Sequence, residues 1–208
     1  MLRQGYRRWA RADRDLSLVF AVLLATALFA PTAAPAQNIT DTEFKFGVLK
    51  HDVGFLGGIE PGIDINPEII FASPIPDAWA AEVPCYLRFA VQPRPTVGAA
   101  FNTAGATNQL YFGATWTWQL ASNVLNPGDG ITFGIFFGPG FNDGETGPTR
   151  PDRKALGSNV LFREAIELGY RITPGFEVSI YLDHVSNAGL ARFNQSLNEV
   201  GGRFGVRF

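Results

Sequence analysis

From Phe176 to Ser186 the chain switches, residue by residue, between two kinds of side chain. The even positions carry Phe176, Val178, Ile180 and Leu182, and that row ends in His184 and Ser186. The odd positions carry Glu177, Ser179, Tyr181, Asp183 and Val185. Successive side chains of a strand point to opposite faces, so this is a strand with one oily side and one mostly polar side. A chain built of such strands can turn its oily rows inward, as a soluble protein does. It can also turn them to lipid and line its interior with polar groups.

The pattern recurs between turn signals. Glu43 to Lys50 places Phe44, Phe46 and Val48 on one face. Ile59 to Phe71 sets Ile59, Ile63, Ile65, Ile69 and Phe71 against Glu60, Asp64, Asn66 and Glu68. Tyr86 to Phe101 alternates as well, although Pro93 and Pro95 weaken its middle because proline cannot donate to a ladder. Leu110 to Leu120 carries Trp116 and Trp118 on its oily row, and Ile131 to Phe137 follows the turn Asn126-Pro127-Gly128-Asp129-Gly130. A polar Gly/Pro-rich loop spans Asn142 to Asn159. Val160 to Arg171 comes next, then Thr173-Pro174-Gly175, the stretch from Phe176 and a last segment from Asn198 to Phe208. Eight such segments predict an eight-stranded antiparallel transmembrane β-barrel of the bacterial outer membrane, with short turns at one end and longer loops at the other. Closure removes the sheet edges and gives every backbone amide in lipid an internal partner.

The inward faces support that reading. Lys45, Arg88, Arg94, Arg163, Arg171, Arg203 and Arg207 meet Glu60, Asp64, Glu68, Glu167, Glu177, Asp183 and Glu199. An eight-stranded barrel is just wide enough for side chains to fill, so a balanced set predicts a plug of ion pairs and not a pore.

The N-terminus reads as a processing segment. Arg3, Arg7, Arg8, Arg11 and Arg14 precede the apolar run Leu16 to Phe29, of roughly signal-peptide length, and Ala34-Pro35-Ala36 offers a cleavage site. The domains are therefore a cleaved signal peptide over 1–36 and a barrel over 37–208. Removal of the leader takes five arginines and two aspartates, leaving 12 basic and 17 acidic residues. That acidic balance, without a basic stripe, excludes nucleic acid as a partner. The single cysteine, Cys85, excludes an internal disulfide framework and reads as a small buried residue. No metal or cofactor is called for: His51 reads as a loop residue, and no cysteine/histidine cluster has zinc-site spacing.

His184 and Ser186 share a strand face two residues apart, so their side chains are neighbours. A serine becomes a nucleophile when an imidazole accepts its proton and a third group orients that imidazole. Asn198 and Glu199 are the candidates on the next segment. Asn198 shares the outward row of Val200, Phe204 and Phe208, whereas Glu199 points inward with Arg203, so face parity favours Asn198.

The run Asp183-His184-Val185-Ser186-Asn187-Ala188-Gly189, followed by Asn194 and a strand ending in Phe208, resembles the lipid A 3-O-deacylase (PagL-type) family. Asn102-Thr103-Ala104-Gly105 with Tyr111 is similar to that family's middle region. The resemblance implies an outer-membrane barrel that hydrolyses the acyl ester at position 3 of lipid A, with lipopolysaccharide as substrate and a homodimer allowed. It implies Ser186 as nucleophile and His184 as general base. Oxyanion stabilisers would fall on Asn187 and the backbone amide of Gly189. The family's third member, a glutamate in its best-known form, falls on Asn198, and a bulge in the last strand would bring Glu199 there instead. A periplasmic N-terminus makes the seventh strand run outward, setting the pair on the outer wall within reach of an acyl chain. Two readings compete: a non-catalytic barrel with a structural or adhesive role, and a soluble lipocalin-like binder with His184 inside.

Overall fold

The computed structural model describes residues 41–54, 58–83 and 91–208. The proposed leader, Cys85 and Arg88 lie outside these residues.

Eight strands follow one another around a closed barrel: β1 (Glu43–Lys50), β2 (Ile63–Ile70), β3 (Arg94–Asn102), β4 (Gln109–Ser122), β5 (Gly130–Asn142), β6 (Val160–Thr173), β7 (Phe176–Ser186) and β8 (Leu197–Arg207). Every neighbour pair is antiparallel, and β1 closes against β8 from Glu43↔Arg207 to Lys50↔Val200. The oily rows face out. In β1 the buried residues alternate strictly with the exposed Phe44, Phe46 and Val48, and in β7 Phe176, Val178 and Ile180 are exposed while Glu177 and Tyr181 are buried. A soluble protein would leave these rows in water at prohibitive cost, so the barrel is one that stands in a bilayer. His184 lies on the outward row, which removes the lipocalin-like reading.

Three segment boundaries differ from the sequence reading by more than two residues. β2 begins at Ile63, because Glu60 to Gly62 form the end of a loop and Gly62 takes φ +110°. β3 begins only at Arg94, after Pro93, and a short helix α1 (Asp77–Ala81) occupies part of the connection from β2. The end that was to carry short turns therefore holds one long connection. β5 runs past Phe137 through Pro139 to Asn142, shortening the polar loop to residues 143–159.

The interior is a network of ion pairs. Lys45 Nζ lies 2.6 Å from Glu167, 3.1 Å from Glu177 and 3.6 Å from Glu43. Glu43, which parity also turns inward, meets Arg94 at 3.2 Å and Arg207 at 3.4 Å. Arg203 pairs with Glu68, and Arg163 with Asp183. Tyr181 and Tyr111 lie under these two guanidinium groups, at 4.3 Å and 4.2 Å. Tyr111 fits because Gly98 faces it: a Cβ there would stand 2.4 Å from the phenol oxygen.

Removing one member of such a network strands its partners in a dry interior. Lys45→Met leaves Glu43, Glu167 and Glu177 short of their shared cation and is expected to cost about 3–5 kcal/mol. Urea unfolding in lipid vesicles measures this, and a midpoint equal to wild type would contradict it.

Candidate functional site

The ladder between β6, β7 and β8 sets three side chains in one outward row. His184 is opposite Glu164 on β6 and opposite Asn198 on β8, and Ser186 follows two residues later opposite Phe162. Directly opposed residues on one face have Cβ atoms about 4.5–5.5 Å apart, within reach of side-chain bonds. His184 Nδ1 lies 2.7 Å from Asn198 Oδ1. An amide oxygen accepts, so Nδ1 carries the hydrogen and Nε2 keeps its lone pair. Asn198 is thus the neighbour that parity selects.

Glu199 is not. β7 and β8 keep unbroken register from Phe176↔Val206 to Val185↔Leu197, so no bulge brings Glu199 to His184. It faces Asp183 in the interior, accepts from Gln109 Nε2 at 2.5 Å and lies 3.5 Å from Arg163. Its expectation as an alternative third member is corrected by that register.

The pair is also less open than a lipid-facing wall suggests. His184 is 1% exposed and Ser186 8%. Just beyond Ser186 the 187–196 loop interlocks with the 143–159 loop. Asn187 Nδ2 donates to Leu156 O at 2.7 Å and Phe193 O at 2.6 Å, and Gln195 N donates to Ala155 O at 3.1 Å. Leu156, Leu161, Val185 and Leu197 pack as a buried apolar cluster at this end of the barrel. Asn187 Oδ1 accepts from Gly189 N at 2.9 Å, and Asn187 N donates to Asn194 Oδ1 at 3.0 Å. The two groups expected at the oxyanion are therefore bonded within the loop. Ala188 (φ +53°) and Gly189 (φ +80°) make the turn that permits it.

Glu164 escaped the sequence reading, although its even number placed it with Phe162, Ile166 and Leu168. Parity alone places it there, a lone acid in an oily row.

His51 is a fully buried group at the barrel mouth and no ordinary loop residue. Its Nδ1 lies 2.7 Å from Asp64 and its Nε2 3.2 Å from Glu60. Burial opposes its charge, but the bonds from Asp64 and Glu60 outweigh that and push its pKa up to about 9. Glu60 is driven the other way: burial would raise it, yet bonds from His51, Lys154 N and Thr107 N hold it at about 2. Lys154 reaches down from the 143–159 loop to Asp52 at 2.5 Å and to Ser196 O, tying three loops together. His51, Asp64 and Glu199 present ligand atoms within 4.8 Å of one another, the group of described residues with the means to hold a cation.

An oily-walled, salt-filled, closed barrel of eight antiparallel strands defines a class: the small barrels of the bacterial outer membrane. Comparison with known proteins narrows it. The lipid A 3-O-deacylase (PagL) family profile matches residues 86–207. The barrel resembles the crystal structure of the outer membrane enzyme PagL at 14% identity, with TM-score 0.53, over 80% of this chain and 98% of that one. It also resembles a de novo designed transmembrane β-barrel at 11% identity and TM-score 0.50, over 84% of this chain and all of the other. No curated protein sequence matches the chain. The chain belongs to the lipid A 3-O-deacylase (PagL) family and is a lipid A deacylase of the bacterial outer membrane.

The raised pKa of His51 makes the mouth pH-dependent. Its folded value lies above the usual 6.5, so its contribution is complete below pH 6.5 and disappears as pH rises through about 9. Thermal unfolding in detergent is expected to lose stability across that window, by about 3 kcal/mol at most. His51→Gln flattens the slope; an unchanged slope in that variant would refute the assignment.

Proposed function

We propose that this barrel removes the acyl chain ester-linked at position 3 of lipid A by a two-step serine esterase route. The observation that carries the reading is the His184 Nδ1 to Asn198 Oδ1 contact, which leaves Nε2 as the base on the row it shares with Ser186. Ser186 Oγ attacks the ester carbonyl while His184 Nε2 takes its proton. The tetrahedral intermediate collapses, the sugar 3-oxygen leaves with the proton from His184, and the acyl group stays on Ser186. Water, deprotonated by the same imidazole, then releases a free fatty acid and restores the serine.

Asn198 fixes the tautomer but brings no negative charge to the imidazolium that forms at each step. Glu164, opposite His184 on β6, supplies a carboxylate from the other side. Asn187 and the Gly189 N–H serve the oxyanion on this reading by exchanging their loop bonds for a stronger, charged acceptor. With the leader cleaved and the N-terminus in the periplasm, the rim bearing Ser186 lies in the outer leaflet, where lipopolysaccharide resides.

Mass spectrometry of lipid A from cells expressing the chain is expected to show loss of one 3-linked acyl chain. Ser186→Ala should lower the purified rate by about a thousandfold or more, and undiminished deacylation would remove the serine route. Glu164→Gln is expected to cost roughly tenfold in kcat, and Asn198→Glu to regain about as much in that background. If Glu164→Gln turns over like wild type, the second carboxylate has no part in the charge balance.

A further inference from the structure

The outward rows of the eight described strands are almost free of charge. Phe, Ile, Val, Leu and Trp dominate them, and two ionised side chains stand among them: Glu164 on β6 and Lys50 at the end of β1. A charged side chain on a lipid-facing wall is costly away from the interface, and these two stand near the rim that bears Ser186. Register relates both to the same histidine, one as its direct neighbour and one from two strands away. Glu164 is directly opposite His184. Lys50 is opposite Val200, which is itself opposite Leu182, two residues below His184 on the same row.

That register fixes the in-sheet separation. Lys50 is two strand spacings and one residue pair from His184, on the order of 12 Å between Cα atoms. Its ammonium is turned towards Gly62 on the β2 side, and the four-carbon stem is long enough to cover about half of this separation when swung towards β8. The wall between them is apolar: Leu182, Val200 and Val48. Lys50 Nζ donates to Gly62 O at 3.4 Å, a neutral carbonyl at the edge of bonding distance, and it appears in no ion pair among the described residues. Interior lysines of this chain differ: Lys45 and Lys154 both meet carboxylates.

We infer that Lys50 is a substrate-binding residue that pairs with a phosphate on the sugar headgroup of the lipid. The inference rests on the deacylase reading above, and deepens it. A lipid standing against β7, β8 and β1 with its ester at Ser186 and one acyl chain along Leu182 and Val200 brings its sugar rim over Lys50. In lipid A a phosphate and the 3-linked acyl chain are carried on one hexosamine. A compact ammonium suits a phosphate as a point charge. Glu164, on the opposite flank, repels the same phosphate and so disfavours the reversed placement of the headgroup. The pair of opposite charges gives the site a direction.

The experiment compares lipid A with enzymatically dephosphorylated lipid A. Wild type is expected to prefer the phosphorylated form in kcat/KM. Lys50→Met should shrink that preference about tenfold, mainly through KM, and Lys50→Arg should retain most of it. A binding measurement in the Ser186→Ala background, by tryptophan fluorescence in detergent, keeps the inference independent of turnover. There Lys50→Met should weaken the phosphorylated lipid about tenfold relative to the dephosphorylated one. Equal preference in wild type and Lys50→Met, in turnover and in binding, overturns the role of Lys50 and leaves the deacylase reading intact. No deacylation by wild type, with phosphate-dependent binding preserved, overturns the reaction and leaves the lysine its ligand.

Discussion

No backbone amide can go unpaired in hydrocarbon, and this single requirement shapes the rest of the molecule. It forces the sheet to close, as β1 does on β8. Closure in turn creates a narrow interior that eight strands line with every second residue. Water cannot fill so small a space generously, and the side chains there are charged. They must therefore neutralise one another, which Lys45, Arg94, Arg163, Arg203 and Arg207 do with Glu43, Glu68, Glu167, Glu177, Asp183 and Glu199. The ion pairs do not make the barrel attractive over a greasy alternative; they make a closed, two-faced sheet tolerable.

The site exploits the fact that a strand has two faces. At Asp183 the chain contributes to the plug, and one residue later, at His184, to the wall. Rigid cross-strand pairing on both sides then does what a loop could not: ladder hydrogen bonds of the barrel itself set Glu164 opposite His184 on one side and hold Asn198 against the imidazole on the other. The serine sits where the ladder stops and the turn of Ala188 and Gly189 begins, so the hydroxyl proposed to react lies at a rim between ordered strand and interlocked loops. On the proposed route a lipid ester at the membrane surface approaches this rim sideways.

Much of this was legible because a strand's period of two leaves no freedom once the pattern is regular. The inward acids and bases, the outward Phe, Val and Ile rows, and the choice of Asn198 over Glu199 follow from counting odd and even positions. What was misread had a local cause each time. Pro93 and Pro95 hid where β3 begins; the polar end of β5 hid that the strand continues past Pro139. His51 does lie in a loop, and its burial against Asp64 and Glu60 stayed hidden because those partners come from the far side of a turn, where parity says nothing.

The amino-acid sequence by itself determined a two-faced, eight-segment chain, the sign of charge on each face and the serine–histidine row, since each depends only on neighbours along the strand. Tertiary structure alone decided what stands across from that row and what closes over it. Barrel register sets Glu164 opposite His184 and Lys50 two strands away from it, and the two loops meet just beyond Ser186 through bonds between residues 155–156 and 187–195. Register and loop closure are set by pairing across the whole barrel, which no single stretch of chain encodes.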